Sequence, residues 1–163
     1  MTEPLIRIRQ LSHSYGHTPV LQQLSAELYG GEIIAVLGAN GAGKSSLLRT
    51  IATLQQPDSG QVHFNGLDIL KEPQQLRCQL GYLPQEFGVY PKVSAEKLLH
   101  YLAILKGVRD SRQRQRQIDY LLDRTNLSQY RHQAVAEYSG GMRQRFGIAQ
   151  ALLGDPKLLI VDE

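Results

Sequence analysis

The chain has a single cysteine, Cys78, no tryptophan and only two methionines. One cysteine excludes an internal disulfide and suits a reducing compartment; Cys78 is expected to be a small buried apolar residue. Cys78 and the five histidines are scattered without the spacing of a metal site. No apolar run approaches the ~18 residues that a spanning helix needs, and the N-terminal M-T-E-P-L-I-R-I-R lacks the long apolar stretch of a leader. The chain is therefore expected in the cytosol, with any membrane role reached through a partner. There are no internal repeats and no low-complexity linker.

What is present is ordinary for a globular domain: 163 residues, 42% hydrophobic and 20% charged, which excludes the disordered and fibrous classes. Basic residues outnumber acidic ones by 18 to 15, for a formal net charge of +3. They cluster only at Arg109, Arg112, Arg114 and Arg116, where they alternate with glutamine and few aromatics intervene. That pattern reads as a solvated helix face, with a nucleic-acid surface as the alternative.

The stretch Gly38 to Ser45, G-A-N-G-A-G-K-S, fits the spacing G-x-x-x-x-G-K-[ST] of a phosphate-binding loop. Gly38, Gly41 and Gly43 let the backbone turn where a Cβ would forbid it, so that successive N–H groups face a phosphate. Lys44 supplies a point charge for the β- and γ-phosphates, and Ser45 a hydroxyl for Mg²⁺. Ile33 to Leu37 reads as a buried strand entering the loop, and Ser46, Leu47, Leu48, Ile51, Ala52 and Leu54 as a helix leaving it.

Before the loop, Leu5–Leu11 and Leu21–Leu28 read as strands of an antiparallel layer. Tyr15 between them is either a core or turn tyrosine or a ring that stacks on a base. After the loop helix, Gln61–Phe64 is a short strand and Asn65-Gly66 a tight turn. Leu80–Leu83 is a further strand leading to Pro84-Gln85-Glu86. Ser94 caps a helix with Leu98, Leu99, Leu102 and Leu105 inward, ended by Gly107. A second helix from about Arg109 to Thr125 turns Ile118, Leu121 and Leu122 inward.

In Y-S-G-G-M-R-Q-R, Tyr138 to Arg145, Ser139 caps a helix with Met142, Phe146, Ala149, Leu152 and Leu153 on its apolar side. Its two glycines are either part of a simple helix start or leave the N-terminus open to an anion. Leu158–Val161 reads as a second buried strand delivering Asp162 and Glu163 at its carboxyl end, where ligands of parallel sheets bind. Asp162 suits Mg²⁺ coordination, and Glu163 a base that polarises water. The helical block from about Pro91 to Arg131 interrupts the alternation of strand and helix and reads as a subdomain inserted in an α/β core.

With phosphate loop, Gln85 after a strand, S-G-G helix start and apolar strand ending in Asp-Glu in that order, the chain resembles the nucleotide-binding domain of an ATP-binding cassette (ABC) transporter over essentially its whole length. The resemblance implies a P-loop NTPase core with a mainly parallel sheet, an N-terminal antiparallel layer and a helical subdomain at about 91–145. It implies that Tyr15 stacks on adenine and that Gly38, Asn40, Gly41, Ala42, Gly43, Lys44, Ser45 and Ser46 hold ATP. It further implies that Ser45, Gln85 and Asp162 serve Mg²⁺ and that Gln85 and Glu163 act on the attacking water. Ser139, Gly140 and Gly141 match the signature motif, which binds the γ-phosphate of ATP held by a second nucleotide-binding domain in a head-to-tail pair. The motif departs from the usual L-S-G-G-Q at Tyr138 and Met142.

By the same resemblance the partners are ATP, a membrane-spanning permease and the second domain, with no nucleic acid, at the cytoplasmic face of the membrane. The phrasing around Gln85 and the signature is similar to exporter subunits. Other readings are a soluble ABC-type ATPase of translation or DNA repair, and a nucleotide-binding module without turnover. Since the chain ends at Glu163, before the family's switch histidine and further strands, it is expected to be a C-terminally incomplete domain with little or no turnover.

Overall fold

The computed structural model of the protein describes residues 3–85, 88 and 91–162. The chain divides into two compact units, Met1–Arg77 and Cys78–Glu163.

The first unit is built on an antiparallel sheet in the order β2-β1-β3-β4. Its strands are β1 (Ile6–Tyr15), β2 (Thr18–Leu28), β3 (Ser59–Phe64) and β4 (Leu67–Asp68). Ile6, Ile8 and Leu11 are buried, and the inward parity changes between Ile8 and Leu11. The cause is a bulge: the register with β2 shifts there, and Gln10 takes the left-handed region at φ 47°. Leu11 and His13 consequently take up the inward face that Ile6 and Ile8 begin. Asn65 and Gly66, at φ 48° and 80°, make the expected tight turn between β3 and β4. Helix α1 (Lys44–Ile51) ends earlier than its apolar pattern suggests, because the chain turns through Thr53 at φ 60° and leaves Leu54 exposed. A short helix α2 (Pro73–Arg77), for which the sequence carries no strong periodic signal, closes the unit.

The strand expected over Ile33–Leu37 is not formed. The segment pairs with no strand among the described residues and is exposed along its length, Ile33 at 102% and Leu37 at 89%. A parallel-type strand is a tertiary object: an apolar run sets its propensity, but neighbours on both sides provide its hydrogen bonds and burial.

The second unit holds a parallel pair, β5 (Leu80–Leu83) and β6 (Leu158–Val161), in register Leu80↔Leu158 to Leu83↔Val161. Around it lie α3 (Ala95–Leu105), α4 (Ser111–Arg124) and α5 (Gly140–Leu152), with single 3-10 turns at Ser128–Tyr130 and Val135–Glu137. Their core joins Leu98, Leu99, Ile118, Leu122, Phe146 and Leu153, each worth about 1.5–3 kcal/mol on full burial. Caps set the helix starts: the Lys97 N–H donates to Ser94 Oγ, Gln113 N–H to Asp110 Oδ1 and Met142 N–H to Ser139 Oγ. Gly107, at φ 86°, follows the end of α3 as expected.

Four burial expectations are corrected. Cys78 is exposed, since it precedes β5 rather than lying within it. Leu105 is 78% exposed because the face of α3 defined by Leu98, Leu99 and Ala103 turns it outward. Leu152 is 37% exposed, while the next residue, Leu153, is fully buried. In β6 only Ile160 is buried; Leu159 and Val161 alternate onto the other face and are 48% and 45% exposed.

Candidate functional site

Each unit carries part of the expected machinery. In the first, the phosphate loop runs into α1 through Gly43, which stands at the N-cap in the left-handed region at φ 88°. A Cβ at Gly43 would lie 2.4 Å from the carbonyl oxygen of Val20, so any side chain would displace the loop from β2. Gly41 is also left-handed, at φ 81°, but with open space around it. Gly38 is not; its constraint is closeness, with Ala42 Cβ 3.2 Å from where its own Cβ would be. Asn40 and Ala42 lie on the exposed turn, and the Ala42 N–H donates to the Ala39 carbonyl at 3.1 Å.

Lys44 folds back over this turn, its ammonium donating to the carbonyls of Gly38 and Ala39 at 2.8 Å each. The loop thus curls around its own cation, and the first turn of α1 has no acidic residue. A helix N-terminus with a left-handed cap and one ammonium attracts and orients a polyphosphate. Ser45 is half-buried in that first turn and Ser46 is buried.

Tyr15 is brought to the same place. Its hydroxyl lies 3.2 Å from Ser46 Oγ and donates to Gln55 Oε1 at 3.0 Å, while 53% of the residue remains exposed. The tyrosine is neither a core residue nor a free turn residue; it is an exposed ring tethered to the helix that follows the phosphate loop. Gln55 was not legible as its partner, because 40 residues separate the two.

In the second unit, the parallel register sets Gln85 and Asp162 just beyond the carboxyl ends of neighbouring strands, and the Asp162 N–H donates to the Leu83 carbonyl at 2.9 Å. Asp162 is buried, 4% exposed, and accepts from the Tyr82 hydroxyl at 3.3 Å. Tyr82 also escaped the sequence reading, since its contact with Asp162 exists only once β5 and β6 pair in this register. Gln85 is exposed. Glu163 lies outside the described residues.

The helix start at Ser139 is also in the second unit. Gly140 and Gly141 have nothing within 4 Å of their would-be Cβ positions, so the N-terminus of α5 stands open. The carboxyl end of α5 is held against the parallel pair at Gly81, where a Cβ would come 2.3 Å from the Ala151 carbonyl oxygen. Within this unit, then, one helix presents open N–H groups at one end and packs on β5 at the other.

A sequence profile described as ABC transporter matches residues 21–163. The chain is 38% identical to the uncharacterized ABC transporter ATP-binding protein YdbJ of Bacillus subtilis, over 100% of this chain and 52% of YdbJ. It is 35% identical to the probable multidrug ABC transporter ATP-binding protein YbhF of Escherichia coli, over 89% of this chain and 25% of YbhF. It is 34% identical to the spermidine/putrescine import ATP-binding protein PotA of Legionella pneumophila, over 100% of this chain and 44% of PotA. The chain thus spans about half the length of the curated relatives it matches, or less. Among solved structures, the ATP binding subunit of an ABC transporter superposes with a TM-score of 0.87 at 30% identity, covering 98% of this chain and 66% of that one. CbiO1 from Clostridium perfringens, part of the ABC transporter complex cbiONQ, superposes with a TM-score of 0.80 at 25% identity, covering 99% and 66%.

Proposed function

The chain belongs to the ABC transporter family, and from that premise we propose that it binds and hydrolyses ATP to drive a transporter whose passage through the membrane is formed by a separate permease. The observation that carries the reading is the phosphate loop: a left-handed Gly43 opening α1, and Lys44 held by two loop carbonyls at the position from which it can turn to phosphate oxygens. A separate permease is supported by cbiO1, which is part of the ABC transporter complex cbiONQ; among the described residues no helix is long and apolar enough to cross a membrane.

The roles divide between the units. In the first, the N–H groups of residues 40–46 and Lys44 bind the phosphates and Tyr15 stacks on adenine. Ser45 offers an oxygen to Mg²⁺. In the second, Asp162 and Gln85 offer oxygens of the same kind, and Glu163 polarises the attacking water. Hydroxyl, carboxylate and side-chain amide oxygens are each hard donors of the type that Mg²⁺ takes alongside nucleotide phosphates. When bound, that ion neutralises charge on the β- and γ-phosphates. The open start of α5 at Ser139, Gly140 and Gly141 takes the γ-phosphate of a nucleotide held by a second copy, so that two cassettes pair head to tail. As a subunit docked on a permease, the protein works at the cytoplasmic face of the membrane. The relatives divide on direction: YbhF is named for multidrug transport and PotA for import, at nearly equal identity.

Thermal melts of the protein with and without Mg-ATP test the reading. Ligand at about a hundred times its Kd should stabilise the fold by roughly 2.7 kcal/mol. Lys44→Ala should abolish the shift; an equal shift in that variant would overturn the assignment.

A further inference from the structure

His13 is a buried polar side chain of the first unit that these roles leave unexplained. It is 8% exposed, and neither ring nitrogen makes a hydrogen bond. Its charged neighbour is Asp58, whose carboxylate lies 3.5 Å from Nδ1. The Asp58 N–H donates to the Ser12 carbonyl at 2.9 Å, which clips the segment after α1 to β1 beside the imidazole. An aliphatic side chain would fill this place without stranding two nitrogens. What it would lack is an aromatic edge, and that edge is in use: the rings of His13 and Tyr15 lie 4.8 Å apart at 87°.

The contact acts on the one freedom that Tyr15 retains. With its Cα fixed in β1 and its hydroxyl held by Ser46 and Gln55, the tyrosine can still spin about the long axis of its ring. A perpendicular ring at 4.8 Å stops that spin and sets which way the phenol faces point. The bulge at Gln10 turns the pair toward the buried side, because it moves the inward parity of β1 from residues 6 and 8 to residues 11 and 13.

We propose that His13 is a positioning residue that holds the Tyr15 ring in the orientation in which it stacks on the nucleotide base. The inference rests on the reading of Tyr15 as the base platform. It makes His13 a determinant of affinity for the base and not for the phosphates.

The test is calorimetric titration of the intact protein with Mg-ATP and, separately, with inorganic tripolyphosphate. His13→Ala should weaken ATP about fivefold, the worth of one aromatic pair, and leave tripolyphosphate unchanged. His13→Leu, which keeps the volume if the alanine variant folds poorly, should behave the same way, and His13→Phe should restore affinity to within about twofold of the original. Tyr15→Ala should weaken ATP further, and adding His13→Ala to it should change nothing more, because the histidine acts through the tyrosine. Equal losses for both ligands, no recovery in His13→Phe, or additive losses in the double variant would overturn the inference alone. If Tyr15→Ala leaves the ratio of ATP to tripolyphosphate affinity unchanged, the platform reading falls and the inference with it.

Discussion

The hydroxyl of Tyr138 donates to the backbone carbonyl of Tyr130 at 2.9 Å, and its ring stands edge-on to Phe146 with centroids 6.2 Å apart. At 1% exposure this tyrosine is a core residue, and burial pushes its phenol above the usual range. The departure from leucine just before Ser139 is therefore a packing solution. The ring fills the space between α5 and the Ser128–Tyr130 turn, and the one polar atom finds an acceptor.

Tyr138→Phe should cost about 1 kcal/mol, the net worth of one hydrogen bond, because it also leaves the Tyr130 carbonyl without this donor. Tyr138→Leu, the usual family residue, should cost more, about 2–3 kcal/mol, since the surrounding side chains are shaped to a ring. Urea unfolding measures both. ATP affinity should stay within error, because the side chain points into the core and away from the open helix start.

Gly41 and Gly43 should respond differently to alanine although both are left-handed. At Gly41 the methyl enters open space, so the cost is conformational, about 1 kcal/mol, and nucleotide binding survives weakened. At Gly43 the methyl meets the Val20 carbonyl at 2.4 Å and the loop must leave β2. The Mg-ATP thermal shift should persist in Gly41→Ala and vanish in Gly43→Ala.

Much of this was legible before the fold was seen, and what was not has identifiable causes. Ser94 and Ser139 announced helix starts, and Asn65-Gly66 a turn, because each acts through bonds within a few residues. The phosphate loop, Gln85 and Asp162 were legible as motifs, and the positions of the latter two followed from the β5–β6 pairing. Ile33–Leu37 misled because a buried strand depends on neighbours that a local pattern does not contain. Leu159 and Val161 misled for the same reason. His13, Gln55 and Tyr82 were missed because their partners are remote in sequence, or lie across a bulge that inverts the parity of β1.

The loss of stability on acidification should depend on Arg131, whose guanidinium bonds Glu96 at 2.7 Å and also Asp119. For Asp119 the Arg131 bond is the dominant cause of a carboxyl held below its usual range, though the residue is half-exposed and solvent screens it. For Glu96, burial pushes the carboxyl up, and the bonds from Arg131 and Gln115 together outweigh it and leave it lowered. A carboxyl lowered by folding stabilises the fold above its unfolded value, near 4, and loses that contribution as pH falls through its folded value. Arg131→Gln should therefore be less stable than the parent at pH 7, and the gap should close below about pH 4. A pH series of thermal melts measures it; a gap constant with pH would mean the arginine acts through packing alone.

Gly141→Asp tests the pairing of cassettes. Its Cβ would stand in open space, so the fold should tolerate the change, while the carboxylate would repel a phosphate brought to α5 by a second copy. ATP binding by the single chain should be unaffected and ATP-driven dimerisation lost. Light scattering that shows unchanged dimerisation would sink the head-to-tail arrangement.

The run Ile33-Ile34-Ala35-Val36-Leu37 is exposed, and exposure of such a run bears on how the protein is handled in a cell. It is five consecutive apolar residues without a charge or a proline, and the nearest acid, Glu32, has its carboxylate turned back to the Tyr29 N–H at 2.9 Å. A sticky window of this composition is what hydrophobic-binding chaperones grip and what cross-β nuclei recruit. Capture of either kind would be expected at these five positions, a few residues ahead of the phosphate loop.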